Sequence, residues 1–117
     1  MQCHDAQTDR NVLIMEADDE LNTQPPIVLI NDVEKRIDQG LRKIVVACSN
    51  VAFLYTPGIS ALVSFHVRLK KRGGHLVVCS VNKRLAELFA TVRPDHLLDI
   101  QCDLAEALAA MQRYHVN

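Results

Sequence analysis

Residues 43–48 (KIVVAC) restrict the fold more than any other segment, because five consecutive residues from Ile44 to Cys48 are apolar. Side chains of a β-strand point alternately to opposite faces of its sheet, so a strand with this sequence needs apolar cover on both faces. Helices packed on each side of a largely parallel sheet provide that cover. We therefore predict that residues 43–48 form the central strand of an α/β domain.

Short apolar segments alternate with amphipathic segments of helical length along the rest of the chain. Further strands are predicted at residues 12–15, 75–79 and 98–100, with an edge strand before residue 12. Turn and capping residues predict four helices: one ending at Gly40, one from near Gly58 to Arg72, one capped by Asn82 and one opened by Asp103 and Glu106. This order predicts a single α/β domain over residues 1–117, its core at about 12–114, with a four- or five-stranded mixed sheet flanked by about four helices.

The charge balance and the hydropathy pattern argue against two classes of partner. The formal net charge is −1 and aromatic residues make up 4% of the chain, so we expect no nucleic-acid binding. No apolar run approaches the roughly 18 residues of a membrane helix, so we expect no direct membrane insertion. The polar N-terminal segment shows no signal-peptide pattern, and we therefore expect a cytoplasmic protein.

Residue spacing gives no sign of catalysis or of a bound cofactor. The four cysteines include no C-x-x-C pair and the five histidines are scattered, so we expect reduced thiols and no metal. The paired glycines Gly73 and Gly74 lie at a helix-to-strand turn, which is the wrong end for a phosphate-binding loop, and no G-x-S-x-G elbow is present. His66 falls on an apolar helix face, where it is interpreted as a neutral core histidine bonded to the backbone, with a pH-sensitive switch as the alternative.

The loop between the central strand and the second helix is the most informative segment. Thr56 followed by Pro57 is typical of a helix start, so we predict that Thr56 is the N-cap of that helix. The alternative is that a hydroxyl at this helix N-terminus accepts a regulatory phosphate, because the partial positive charge there tolerates an anion.

Four short motifs in the right order resemble the STAS domain family, and within it the bacterial anti-sigma factor antagonists. The family's G-E-L-D turn is matched by DELN at 19–22, and its F-L/I-D-S-S/T-G-L loop by FLYTPGI at 53–59. Its G-G-x-L-x-L/V strand is matched by GGHLVV at 73–78, and its last-helix pattern by DLAEAL at 103–108. The likeness spans about residues 12 to 111.

The chain departs from the family at the residues that carry the family's regulation. The phosphorylated Ser or Thr directly before the glycine is replaced by Pro57, and the aspartate two residues earlier by Tyr55. The aspartate of the central strand is replaced by Ala47, and that of the turn by Asn22. The resemblance therefore implies the family's fold together with a disabled phosphorylation switch.

The resemblance implies a non-catalytic regulatory module that binds an anti-sigma factor or a kinase-type regulator and needs no cofactor; a homodimer is left open. The phosphosite-equivalent loop consists of Tyr55, Thr56, Pro57 and Gly58. The expected partner surface consists of Asn22, Ile27, Val28, Tyr55, Thr56 and Pro57. The alternative function is a structural STAS subunit of a phospholipid-transport ABC system or of a stress-signalling complex.

Overall fold

Five strands and four helices alternate along the chain. A computed structural model describes residues 2–6, 9–18, 27–92 and 99–113, with side chains described at 12–18, 31–91 and 99–111. The elements in chain order are β1 (Gln2–Ala6), β2 (Asp9–Asp18), α1 (Ile27–Asp38), β3 (Lys43–Asn50), α2 (Thr56–Lys71), β4 (His75–Cys79), α3 (Lys83–Val92), β5 (Asp99–Gln101) and α4 (Leu104–Arg113).

The strands form one sheet in the order β1-β2-β3-β4-β5. Strands β2 to β5 run parallel to one another, and β1 pairs with β2 in the antiparallel direction. Ile44 of β3 lies opposite Leu13 of β2 and Leu76 of β4, so β3 is the central strand, as predicted. Ser49 and Asn50, which were expected in the following loop, belong to this strand.

Each face of the sheet is covered by its own group of apolar side chains, as the alternation along a strand requires. Ile44 and Val46 face the larger group, which contains Phe65 and Leu69 of α2 together with side chains of α1 and α3. Val45 and Ala47 face the smaller group, which contains Ala107 and Met111 of α4. Three helices therefore cover one face of the sheet and α4 covers the other, which accounts for the run of apolar residues in β3.

Helices α1 and α2 end at glycines, as the sequence predicts. At the end of α1 Gly40 has a φ of 114°, and at the end of α2 Gly73 has a φ of 78°, values that glycine adopts at little cost. The Gly74 N–H donates to the Leu69 carbonyl at 2.7 Å and the Gly73 N–H to the Lys70 carbonyl at 3.1 Å, which is the Schellman pattern. These turns send the chain directly into β3 and β4.

The predicted start of the second helix needs a correction. We expected the helix to begin near Gly58, but α2 begins at Thr56, and its N-cap is Tyr55. The Ile59 N–H donates to the Tyr55 carbonyl at 3.0 Å, which closes the first helical turn one residue before the predicted cap. The predicted N-cap role of Thr56 is therefore wrong.

Candidate functional site

The phosphosite-equivalent residues lie at the edge of the sheet where the parallel strands end. Tyr55 closes the connection between β3 and α2 (residues 51–55), whereas Thr56, Pro57 and Gly58, which were expected in the loop, are the first residues of α2. Residues 80–82 connect the neighbouring strand β4 to α3. Loops that leave adjacent strands of a rigid sheet lie side by side and often carry binding residues, so these two connections are the candidate binding surface.

Asn82 joins these two loops through three hydrogen bonds. Its Oδ1 accepts from the Leu85 N–H at 2.8 Å, which makes it the N-cap of α3, as predicted. Its Nδ2 donates to the carbonyl of Ala52 at 2.9 Å and to that of Val51 at 3.3 Å. One side chain thus starts α3 and also holds the loop that precedes α2.

The start of α2 places an exposed tyrosine and an exposed threonine side by side. Tyr55 is 60% exposed, Thr56 is exposed, Pro57 is half-buried and Gly58 is buried. No side-chain hydrogen bond caps the helix, so its start does not depend on the Thr56 hydroxyl. Pro57 lies within the first turn, where its missing N–H has no helical partner to lose.

Tyr55 belongs to a small group of aromatic and cationic side chains. Its ring meets the Phe53 ring edge to face, with centroids 5.1 Å apart and an interplanar angle of 69°. The Arg84 guanidinium carbon lies 4.7 Å from the Phe53 centroid, within the range of a cation–π contact. We call Phe53, Tyr55, Lys83 and Arg84 the aromatic-cationic surface; Lys83 and Arg84 are exposed in the first turn of α3.

The structure brings together only part of the predicted partner surface. Tyr55, Thr56 and Pro57 are adjacent at the start of α2. Asn22 lies outside the described residues. Ile27 and Val28 are the first two residues of α1, and their side chains also lie outside the described part of the chain. The role of these three residues stays a prediction.

The two buried thiols, Cys48 and Cys79, are poorly suited to nucleophilic chemistry. Burial, and secondarily the neighbouring Cys79, raises the pKa of the Cys48 thiol to about 12, so this group stays protonated at neutral pH. Burial is also the main reason that the pKa of Cys79 is raised. Cys102 is exposed, and all three thiols are free. Within the described residues, no three His, Cys, Asp or Glu side chains form a group that could hold a metal ion.

His66 is buried in α2, but it lacks the backbone hydrogen bond that we expected. Its exposed fraction is 8%, and its Nδ1 has no hydrogen-bond partner. Burial lowers the pKa of the imidazole, and the positive charges of Lys70 and His75 lower this pKa further. The neutral histidine was predicted correctly, whereas its predicted bond to the backbone was wrong.

A groove of about 450 Å³ lies between α1 and α2. Two ion pairs cross it: Arg68 pairs with Glu34, and Arg72 pairs with Asp38 at 2.6 Å. Four of the five charged side chains that line the groove are paired in this way, so the groove is explained by the packing of the two helices. In the described part of the chain, no helix is long and apolar enough to span a membrane.

Sequence reasoning missed the contribution of Arg84 and the second role of Asn82. The contacts of both cross from the β4–α3 connection to the β3–α2 loop, and residue spacing along the chain does not reveal them. One signal was present: two cations, Lys83 and Arg84, directly follow a capping asparagine. Cations are unfavourable at a helix N-terminus, so this pair marks a position that helix stability alone does not explain.

Comparison with known proteins identifies the domain type. The sequence model of the STAS domain matches residues 4–107. No curated protein matches this sequence.

Several solved structures share the fold at low sequence identity. A candidate anti-sigma factor antagonist from Thermotoga maritima superimposes with a TM-score of 0.84 at 18% identity, over 96% of this chain and 94% of that one. A structure of the stressosome, a signal integration and transduction hub, gives 0.78 at 11% identity, over 96% of both chains. The anti-sigma factor antagonist SpoIIAA in its unphosphorylated form gives 0.71 at 12% identity, also over 96% of both chains.

Proposed function

Because the chain belongs to the STAS domain family, we propose that it is a non-catalytic, cytoplasmic module that regulates transcription by binding an anti-sigma factor or a kinase-type regulator. The observation that carries the proposal is the start of α2. There Tyr55 is exposed. Two residues later, Pro57 occupies the position at which related domains carry the phosphorylated hydroxyl. The partner surface is formed by this helix start and its preceding loop.

Proline has no hydroxyl, so position 57 accepts no phosphate. In the proposed function the regulator binds this protein without being able to release itself by phosphorylating that position. A phosphate there would put up to two negative charges into the contact surface, and desolvating them would weaken binding. The protein would thus act as a constitutive binder of its partner.

Thr56, one residue before Pro57, is exposed and carries a hydroxyl. Because Thr56 does not cap α2, capping does not withhold its oxygen from a kinase. In the proposed function, a kinase adapted to the residue directly before the glycine does not accept a hydroxyl that lies one residue earlier.

The experiment is affinity capture with two matched variants. Tyr55 and Val67 are the large hydrophobic side chains exposed in the described structure, at 60% and 40%, and Val67 lies on α2 away from its start. Immobilised wild-type, Tyr55→Ala and Val67→Ala proteins are incubated with an extract of the organism that encodes the chain, and bound proteins are identified by mass spectrometry. An exposed tyrosine anchor contributes about 2 kcal/mol, so Tyr55→Ala should lose the regulator and Val67→Ala should retain it.

Two results would count against the proposal. If Tyr55→Ala binds the regulator as tightly as the wild type, the partner surface has been misplaced. If the captured proteins are a permease and an ATPase, the chain is a transport subunit. A third result, capture of other STAS proteins of a large assembly, would support a structural role in a stress-signalling complex, which the fold shared with the stressosome structure favours as the second candidate.

A further inference from the structure

The first turn of α3 carries two cations at an electrostatically unfavourable place. Lys83 and Arg84 directly follow the N-cap Asn82, and the first turn contains no acidic residue. The partial positive charge of a helix N-terminus disfavours cations there by some tenths of a kcal/mol each. Within the described residues neither side chain pairs with a carboxylate, and the contact that Arg84 makes is with the Phe53 ring.

The cations at the end of α2 differ from Lys83 and Arg84 in their position on the helix and in their ion pairs. Arg68, Lys70 and Lys71 lie in the last turn, where a positive charge complements the helix C-terminus. Arg68 pairs with Glu34, and the next residue, Arg72, pairs with Asp38. Helix stability and ion pairing account for this cluster. They do not account for Lys83, and the local gain of Arg84 is its contact with the Phe53 ring. Residues that break a local rule are expected at functional positions.

Acidic residues are sparse in sequence around Lys83 and Arg84. Residues 49–61 and 80–86, which form the β3–α2 and β4–α3 connections and the helix starts after them, contain no Asp or Glu, and the next acidic residue on α3 is Glu87. At the same edge, the carboxylate of Asp103 is occupied as the N-cap of α4, accepting from the Glu106 N–H at 2.8 Å. Exposed Tyr55 and half-buried Phe53 lie beside the cations and add apolar contact area.

We propose that the aromatic-cationic surface binds an acidic segment of the partner protein, with Arg84 and Lys83 facing its carboxylates and Tyr55 packing against its apolar atoms. This inference rests on the proposed function for the location of the partner surface, and it adds the chemistry of the partner. A protein segment fits better than a nucleic acid, because nucleic-acid affinity comes from many neutralised phosphates and this surface offers two cations. Charge complementarity of this kind governs specificity and the association rate.

The test is an NMR titration of the isotope-labelled full chain with a hexaglutamate peptide at low ionic strength, where exposed charges are least screened. We expect the largest amide shifts at Phe53, Tyr55, Lys83 and Arg84. Arg84→Glu should weaken the peptide's Kd about tenfold, because it replaces attraction by repulsion. The matched control Lys71→Glu makes the same charge change in the exposed last turn of α2, and it should bind like the wild type.

Folding of the variants is verified by their dispersed spectra, and Arg84→Gln provides a neutral second variant with an intermediate loss. Equal peptide affinity of wild type and Arg84→Glu would overturn the inference. Shifts centred on Arg68 and Lys71 that disappear in Lys71→Glu would also overturn it, as would tighter binding of a DNA duplex at the aromatic-cationic surface. The titration needs no regulator, so its result is independent of the affinity capture that tests the proposed function.

Discussion

His66 shows how one buried side chain makes the stability of the fold depend on pH. The imidazole lies among apolar neighbours on α2, and its Nδ1 has no partner that would favour a proton. Its pKa is lowered first by burial, and then by the positive charges of Lys70 and His75. Nε2 of His75, which is one of these two charged neighbours, lies 3.0 Å from Oδ2 of Asp99.

The lowered pKa of His66 predicts a loss of stability on acidification. The unfolded chain binds a proton at this histidine below about pH 6.5, whereas the folded chain resists that proton until a lower pH. The free energy of unfolding should therefore be fully retained above about pH 6.5 and fall as the pH decreases below that value. Urea melts of the wild type and of His66→Leu, at about pH 7.5 and about pH 5.5, give the free energy of unfolding on either side of the ordinary pKa of histidine.

The substitution by leucine removes the titrating group and introduces an apolar side chain with a high helix propensity. We expect the stability of His66→Leu to change less between the two pH values than that of the wild type. An equal loss in both proteins would show that His66 does not carry the acid sensitivity.

At the scale of secondary-structure elements, Asn82 connects two loops that the chain order separates by a strand and a helix. Its Oδ1 caps α3, and its Nδ2 holds the carbonyls of Val51 and Ala52. The loop before α2 is therefore positioned by the start of α3. A change at Asn82 should affect both elements, and the two effects can be separated by the choice of substitution.

We predict that Asn82→Ala lowers the free energy of unfolding by about 2 kcal/mol, since it loses the cap and the link between the loops. Asn82→Ser keeps a capping oxygen but has no amide to reach Val51 and Ala52, so it should lose about 1 kcal/mol. Urea melts give both values. If Asn82→Ser is as stable as the wild type, the link between the loops contributes nothing to the free energy of unfolding, and contacts such as the burial of Val51 and Leu54 hold the loop.

The sequence was sufficient for the elements and their order, because strand alternation, glycine stops and capping residues are local signals. The prediction for Asn82 was confirmed for this reason, as was the pairing of Asp103 with the Glu106 N–H. The final strand was predicted at 98–100, and it continues to Gln101; residue 98 lies outside the described residues. Such small shifts arise because tertiary contacts decide where a short strand ends.

The error at Thr56 has a specific cause. Either Tyr55 or Thr56 as N-cap places Pro57 in the first turn, where it is tolerated, and the preference for Thr at an N-cap favoured Thr56. Leu54 before the cap and Gly58 after it are both buried, and their packing fixes where the helix starts. The aromatic-cationic surface was missed because Phe53 and Arg84 are separated in sequence by α2 and β4, so their contact depends on the tertiary fold.

In the whole molecule, the two faces of the sheet form the core, and the carboxyl edge of the sheet forms the proposed partner surface. Both faces are buried, by α1, α2 and α3 on one side and by α4 on the other. At the carboxyl edge, Val51 and Leu54 are part of the core, whereas Tyr55 and Thr56 are exposed. Tyr55, Pro57 and Ala47 stand where the family resemblance implies acidic and phosphorylated residues; they are compatible with the intact fold, and we propose that they change the regulation of binding.

We propose that this chain binds its regulator without a phosphorylation switch at position 57. The most direct measurement uses the complex with the captured kinase-type regulator, purified with wild-type protein and with Pro57→Ser. Each complex is incubated with and without Mg-ATP. Dissociation is followed by size-exclusion chromatography, and any phosphate is located by mass spectrometry.

We predict that the wild-type complex persists in ATP with no added phosphate. The Pro57→Ser complex should dissociate in ATP with phosphate on the introduced serine, because the new charge lies at the contact surface. Without ATP, both complexes should persist. ATP-dependent release of the wild-type protein with phosphate on Thr56 would contradict the account, since the switch would then be intact and its acceptor moved by one residue.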